Sequence, residues 1–122
     1  FSLIKKNLKL KGGKMKSKIL TTTTTDIPGK KVTQILGIVE GNTIRARNIG
    51  RDIGAGFKSL VGGEIKAYTQ MTTVSREEAF NRMVNMAIEM DADAIINVRF
   101  TTSVVMQGAS EMLAYGTAVK LG

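Results

Sequence analysis

Apolar positions change period twice along the chain. Residues 18–25 are β-rich, with Ile19 ahead of a run of threonines at 21–25 whose β-branched side chains suit a strand. Asp26-Ile27-Pro28-Gly29 reads as a turn, because Pro presets the first corner and Gly accepts the second. Residues 32–39 (VTQILGIV) form a short apolar run typical of a buried strand. Glu40-Gly41-Asn42 breaks that run, and residues 43–46 continue it after a bulge or turn.

The period then becomes helical. Ile49, Ile53, Phe57, Leu60 and Val61 share a face, predicting a short amphipathic helix within residues 47–64. Gly54 and Gly56 weaken it by about 1 kcal/mol each relative to Ala and mark a close packing site. Gly62-Gly63 ends it as a C-cap. A longer pattern covers residues 64–90, with Ile65, Tyr68, Met71, Ala79, Met83, Met86 and Met90 on one broad face and Phe80, Val84, Ala87 and Ile88 widening it. Ser75-Arg76-Glu77-Glu78 is a capping-box string and argues locally for a start at Ser75. The continuous period favours one long helix.

Period two returns after Asp91-Ala92-Asp93. Residues 94–105 alternate, with Ile96, Val98 and Phe100 opposite Asn97, Arg99 and Thr101. Residues 106–109 form a hairpin connection, and residues 111–121 a last strand. On that strand Leu113, Tyr115, Thr117 and Val119 face one way, and Met112, Ala114, Gly116 and Ala118 the other. The predicted order is β-β-α-α-β-β: an α+β domain with an antiparallel or mixed sheet packed on one long helix.

Composition narrows the chemistry. The 122 residues suit one domain and are 43% apolar, within the globular range. With no Cys and no His, disulfides, Cys/His metal sites and Ser-His or Cys-His catalysis are excluded. No apolar run has the length of a membrane helix, and no secretory signal is evident, so the expected location is the cytoplasm, without a membrane partner. Net charge is +8, but residues 1–14 hold five lysines and no acid; the remainder carries 13 basic and 10 acidic residues, a net +3. Lys11-Gly12-Gly13-Lys14-Met15 can be encoded as AAA GGA GGT AAA ATG, a ribosome-binding purine run before a start codon. Residues 1–14 are therefore expected to be a disordered, basic leader, and residues 15–122 the domain. The rival reading is a basic tail that contacts nucleic acid or an anionic membrane.

Candidate site residues are few. Arg45, Arg47 and Arg51 form a basic cluster suited to an anion or phosphate; solvated surface charge is the plainer account. Asp52 follows Arg51 early in the first predicted helix, where a carboxylate is favoured by the dipole. Asp91 and Asp93, with Asp26, Glu40, Asp52 and Glu64 elsewhere, supply oxygen donors for a hard metal ion, but the pair alone falls short of the ligand number that calcium takes. Gly62-Gly63-Glu64 lacks the Gly-Lys-Ser/Thr spacing of a P-loop and reads as a helix–helix turn. Tyr68 and Tyr115 read as half-buried packing residues, and Glu78 and Arg82 as an i,i+4 ion pair. Arg45, Arg47, Arg51, Asp52 and Glu64 are the ligand-binding candidates; no catalytic set and no specific cofactor emerge.

Three stretches together, RDIGAGFKSLVGGEIKAY, REEAFNRMVNMAIEMDADAIINVRF and MLAYGTAVKL, resemble the YbjQ-like family of small bacterial and archaeal proteins, which carries a heavy-metal-binding label. The resemblance spans residues 17–121, and TTTTTDIPGKKVTQILGIVEG fits it. It implies an α+β subunit in a ring-like homo-oligomer, a homopentamer, and no known reaction. The Arg51-Asp52 pair recurs in that family's pattern, where an ion pair across a subunit contact is the plainer role. The residues add support for assembly: a helix apolar on more than one face outgrows one sheet, and the small face of the last strand admits another backbone. The leading expectation is a non-enzymatic oligomeric protein binding a small ligand or metal ion at a subunit interface. Nucleic-acid or anion binding through basic residues, disfavoured by the scarcity of aromatics, and a hard-metal-dependent enzyme are the alternatives.

Overall fold

The β-branched runs from the two ends of the chain come together as neighbouring strands beneath one helix. The computed structural model describes residues 2–9, 15–46, 60–61 and 64–122, and side chains at 19–45 and 69–122. In chain order the elements are β1 (Ser2–Lys9), β2 (Met15–Thr21), β3 (Val32–Ala46), β4 (Leu60–Val61), β5 (Glu64–Ile65), α1 (Lys66–Glu89), β6 (Ala94–Met106) and β7 (Ala109–Leu121).

The strands β2, β6, β7 and β3 form a mixed sheet in that order, and β1 extends its β2 edge. β2 runs parallel to β6 through Leu20↔Ala94 and Thr21↔Ile95; every other pairing is antiparallel. The helix α1 covers one face, chiefly over β3 and β7. Ala79, Met83, Val84, Ala87 and Ile88 meet Val39, Ile95, Val98, Met112, Ala114 and Ala118 in one core. Small residues on both layers bring helix and sheet close, so long side chains such as Met83 fill the remaining gaps.

The order differs from β-β-α-α-β-β. Among the described residues one helix follows five strands. Leu60↔Ile65 and Val61↔Glu64 pair as a small ladder where a helix end and a helix–helix turn were expected. A Gly-Gly dipeptide between two short segments that can pair is a hairpin signal, and here it outweighs helical periodicity. Residues 47–59 of the expected first helix lie outside the described residues.

Four local expectations are also corrected. Glu40-Gly41-Asn42 does not interrupt β3, which pairs with β7 on both sides of Gly41. The threonine run is strand only to Thr21; residues 23–25 form a bend, with Thr22 and Thr24 still hydrogen-bonded to β6. Ser2–Lys9 is a strand, where a disordered leader was expected. The small face of β7 (Met112, Ala114, Gly116, Ala118) is buried within the same chain, where a second backbone was expected.

Other readings hold. The helix is continuous through Ser75, which is buried: its Oγ accepts from Arg45 Nε at 3.3 Å and its carbonyl accepts from Thr43 Oγ1 at 3.2 Å. The capping-box serine thus anchors the helix to β3. Lys30 N donates to the Ile27 carbonyl at 3.1 Å, and Gly29 has φ +75°, a type II turn with Pro28 at its first corner. The helix closes with a Schellman motif: Ala92 N donates to the Ala87 carbonyl, Asp91 N to the Ile88 carbonyl, and Asp91 takes φ +58°.

Candidate functional site

Arg45 lies near the end of β3, where its guanidinium pairs with Glu78 of α1 at 2.6 Å and bonds Ser75. Its charge is thus matched within the chain. Arg47, Arg51 and Asp52 lie outside the described residues. Glu64 is in β5, and only its backbone is described. Around Arg45, a cleft of about 290 Å³ is lined by Met71, Ser75, Ser103, Ser110 and Glu111 among others.

The expected Glu78–Arg82 pair is not the one formed. Glu78 turns to Arg45, and Arg82 Nη1 donates to the Asn42 carbonyl at 2.5 Å. Asp91 and Asp93 are also committed to structure. Lys120 Nζ lies 3.5 Å from a carboxylate oxygen of each and donates to the Asp91 carbonyl at 2.9 Å, while Leu121 N donates to Asp93 Oδ2 at 2.9 Å. This pair ties the helix end to the last residues of β7.

A larger cleft, about 470 Å³, opens between the 21–28 segment, α1 and β6. Thr21, Thr22, Thr23, Thr24, Asp26 and Pro28 line one side; Phe80, Val98 and Phe100 line the other. The Phe80 and Phe100 rings stack with centroids 6.1 Å apart. Backbone bonds hold the threonine segment on β6: Thr22 N to Ile95 O, Val98 N to Thr22 O, and Asn97 N to Thr24 O. Asn97 takes φ +54° and accepts from Thr25 Oγ1 at 3.0 Å, while Arg99 Nη1 donates to the Thr23 carbonyl at 2.9 Å. Arg45, the one candidate whose side chain is described, does not line this cleft. The cleft's sequence signal is the run of five hydroxyl residues ahead of a Pro-Gly turn.

Among the described residues, the sheet face away from α1 carries exposed apolar side chains. Ile38 and Ile44 of β3 are 72% and 59% exposed, and Tyr115 of β7 is 38% exposed. At the end of β6, Val104, Val105 and Met106 are exposed in succession, so both faces of that strand meet solvent. On the helix, Val74 and Met86 remain exposed.

Comparison with known proteins places these features in a family. Residues 19–122 match the model of a family described as "Putative heavy-metal-binding". A UPF0145 protein of Photobacterium profundum is 58% identical over 103 residues, covering 84% of this chain and all of that protein. A UPF0145 protein of Archaeoglobus fulgidus is 55% identical over 107 residues, covering 88% and 99%. A crystal structure of a protein of unknown function from Pediococcus pentosaceus, of the DUF74 family, aligns with TM-score 0.60 at 18% identity over 85% of this chain and 98% of that one. That likeness concerns the fold.

The residues present do not fit a heavy-metal centre of the thiolate or imidazole kind. The chain has neither Cys nor His, and methionine thioether is the one soft donor it contains. Among the described residues no three carboxylates gather into a metal-holding group, and Asp91 and Asp93 are engaged by Lys120.

Proposed function

This chain belongs to the YbjQ-like family, and from that premise we propose that it works as a non-enzymatic homo-oligomer, a pentameric ring in the cytoplasm, that binds a small ligand where subunits meet. The observation that carries the proposal is the open sheet face. Ile38, Ile44 and Tyr115 share a surface that α1 leaves bare, and Val104, Val105 and Met106 extend the exposed apolar area at the β6–β7 hairpin. Grouped apolar area on a small subunit is a docking surface, because its removal from water supplies the association free energy. The helix adds Val74 and Met86 as apolar residues that the subunit's own sheet leaves exposed.

The non-enzymatic reading rests on the residues the chain contains. Without His or Cys, general acid–base or nucleophilic chemistry falls to carboxylates, tyrosines and lysines, and the candidate carboxylates are dispersed. Asp91 and Asp93 close a helix end, Glu78 pairs with Arg45, and Glu111 accepts from Asn42 Nδ2 at 3.0 Å. The pairing of Arg45 also removes one of the three cations on which anion binding would depend.

Native mass spectrometry of untagged protein, purified without chelator, tests the proposal. A pentamer with retained extra mass supports assembly and ligand together, and the extra mass identifies the ligand's class. A bare pentamer supports the assembly and removes the ligand. A monomer overturns the reading of the open sheet face.

A further inference from the structure

We propose that the threonine cleft is a binding site for a primary organic ammonium with an apolar or aromatic body. The site is built within one chain, so the inference stands apart from the oligomeric proposal.

The argument starts from the direction of the hydrogen bonds. Thr24 Oγ1 donates its proton to the Asp26 carbonyl at 2.8 Å. The 2.7 Å bond between Thr22 Oγ1 and Thr24 Oγ1 must then use the Thr22 proton. Thr24 N, in turn, donates to Thr22 Oγ1 at 3.1 Å. Both hydroxyl protons are therefore consumed inside the loop, and each oxygen keeps a lone pair. The Asp26 carboxylate is exposed and has no ion-pair partner among the described residues. The polar side of the cleft thus offers acceptors and negative charge, and it binds a ligand that brings hydrogen-bond donors and positive charge.

The opposite side is apolar. Phe80, Val98 and Phe100 provide a hydrophobic wall, with Phe100 43% exposed. An aromatic face attracts a cation and packs against an apolar body. The volume of about 470 Å³ lies within the range of small-molecule sites. Asp26 is the one carboxylate among the described lining residues, which separates this ligand from a divalent cation that needs a fuller set of oxygen donors. Among the described residues no Lys or Arg lines the cleft, so the described lining is negative although the chain is net positive.

The site is held in shape without a ligand. The backbone bonds of residues 22–24 to β6, the Thr25–Asn97 side-chain bond and the Arg99 bond to the Thr23 carbonyl fix the loop. A preformed site binds without the loss of affinity that loop ordering would impose.

Threonine- and valine-methyl NMR of the full chain, titrated with phenethylammonium chloride, provides the test. The methyl signals of Thr22, Thr24 and Val98 are expected to shift, with binding weakened as salt is added. Two control titrations use 3-phenylpropionate and 2-phenylethanol, which replace the ammonium by an anion and by a neutral group. Both are expected to bind more weakly. Asp26→Asn, at an exposed position that leaves the core untouched, is expected to weaken phenethylammonium binding about fivefold, the size of a screened surface ion pair. Phe80→Leu, with its fold checked by the remaining methyl signals, is expected to weaken all aromatic probes together. The proposal is overturned by absent or scattered shifts, by an anion or alcohol that binds as tightly as the ammonium, or by unchanged affinity in Asp26→Asn.

Discussion

Gly41 of β3 lies directly beneath Ala79 of α1: a Cβ at Gly41 would overlap the Ala79 carbonyl and the Met83 amide nitrogen. Both are backbone groups, which cannot rotate aside, so the absence of a side chain sets the separation of helix and sheet at the middle of the core. Gly41→Ala should therefore destabilise the subunit by ~3 kcal/mol, at the upper end of overpacking costs. Urea unfolding measures it. Gly29→Ala is the contrast. Gly29 has open space around its missing Cβ but φ +75°, so the expected cost is the conformational one, about 1 kcal/mol. Equal losses at the two positions would refute this account of the packing.

The Schellman turn supplies a second test. Asp91 takes φ +58° at the position where glycine is usual. Asp91→Ala and Asp91→Gly both remove the carboxylate that Lys120 meets at 3.5 Å, so the lost ion pair cancels between them. The difference isolates the backbone. The glycine variant should be the more stable by about 1 kcal/mol, read from thermal or urea unfolding.

How much of this was legible in the sequence depended on how local each cause was. The single helix through Ser75, the Pro28-Gly29 turn and the alternating strand after Asp93 rest on neighbours in the chain, and they were readable. Gly41 was misread because a glycine between Glu and Asn has the composition of a break; only the helix lying across it gives the glycine another purpose. Glu78 was assigned to Arg82 by i,i+4 spacing, but Arg45, from a strand 33 positions earlier, has the shorter reach. The cleft was hidden for the same reason. Its threonines and Asp26 belong to one end of the chain, and Phe80 and Phe100 reach it from a helix and a strand far along the sequence. The β4–β5 ladder shows a different failure, in which helical periodicity was trusted over a Gly-Gly hairpin signal.

Removal of residues 1–14 tests the leader reading. β1 pairs with β2 alone, at the sheet's outer edge, and Leu20 and Thr21 still meet β6 when it is gone. The described core is formed by α1, β3, β6 and β7 together with Ile19 of β2. A chain starting at Met15 should fold with nearly the same midpoint in urea, while its net charge falls to +3 and its retention on a cation exchanger drops. A collapse of stability on truncation would show β1 to be part of the folding unit and would end the leader proposal.

Charging the open sheet face separates assembly from folding. Ile38 is 72% exposed and Ile44 59%, so in the isolated subunit a lysine at either position replaces a side chain already in water. Such surface changes shift subunit stability by about 0.5 kcal/mol or less. In an oligomer that buries this face, the same lysines place charge in an apolar contact, where desolvation without a partner is far more costly. The double variant Ile38→Lys/Ile44→Lys should therefore keep the circular dichroism spectrum of the parent chain and elute as a monomer at micromolar concentration. The parent chain should elute as the oligomer. If the variant assembles like the parent, the interface lies elsewhere, and the exposed Val104-Val105-Met106 edge and the Met86 side of the helix become the surfaces that must bear it.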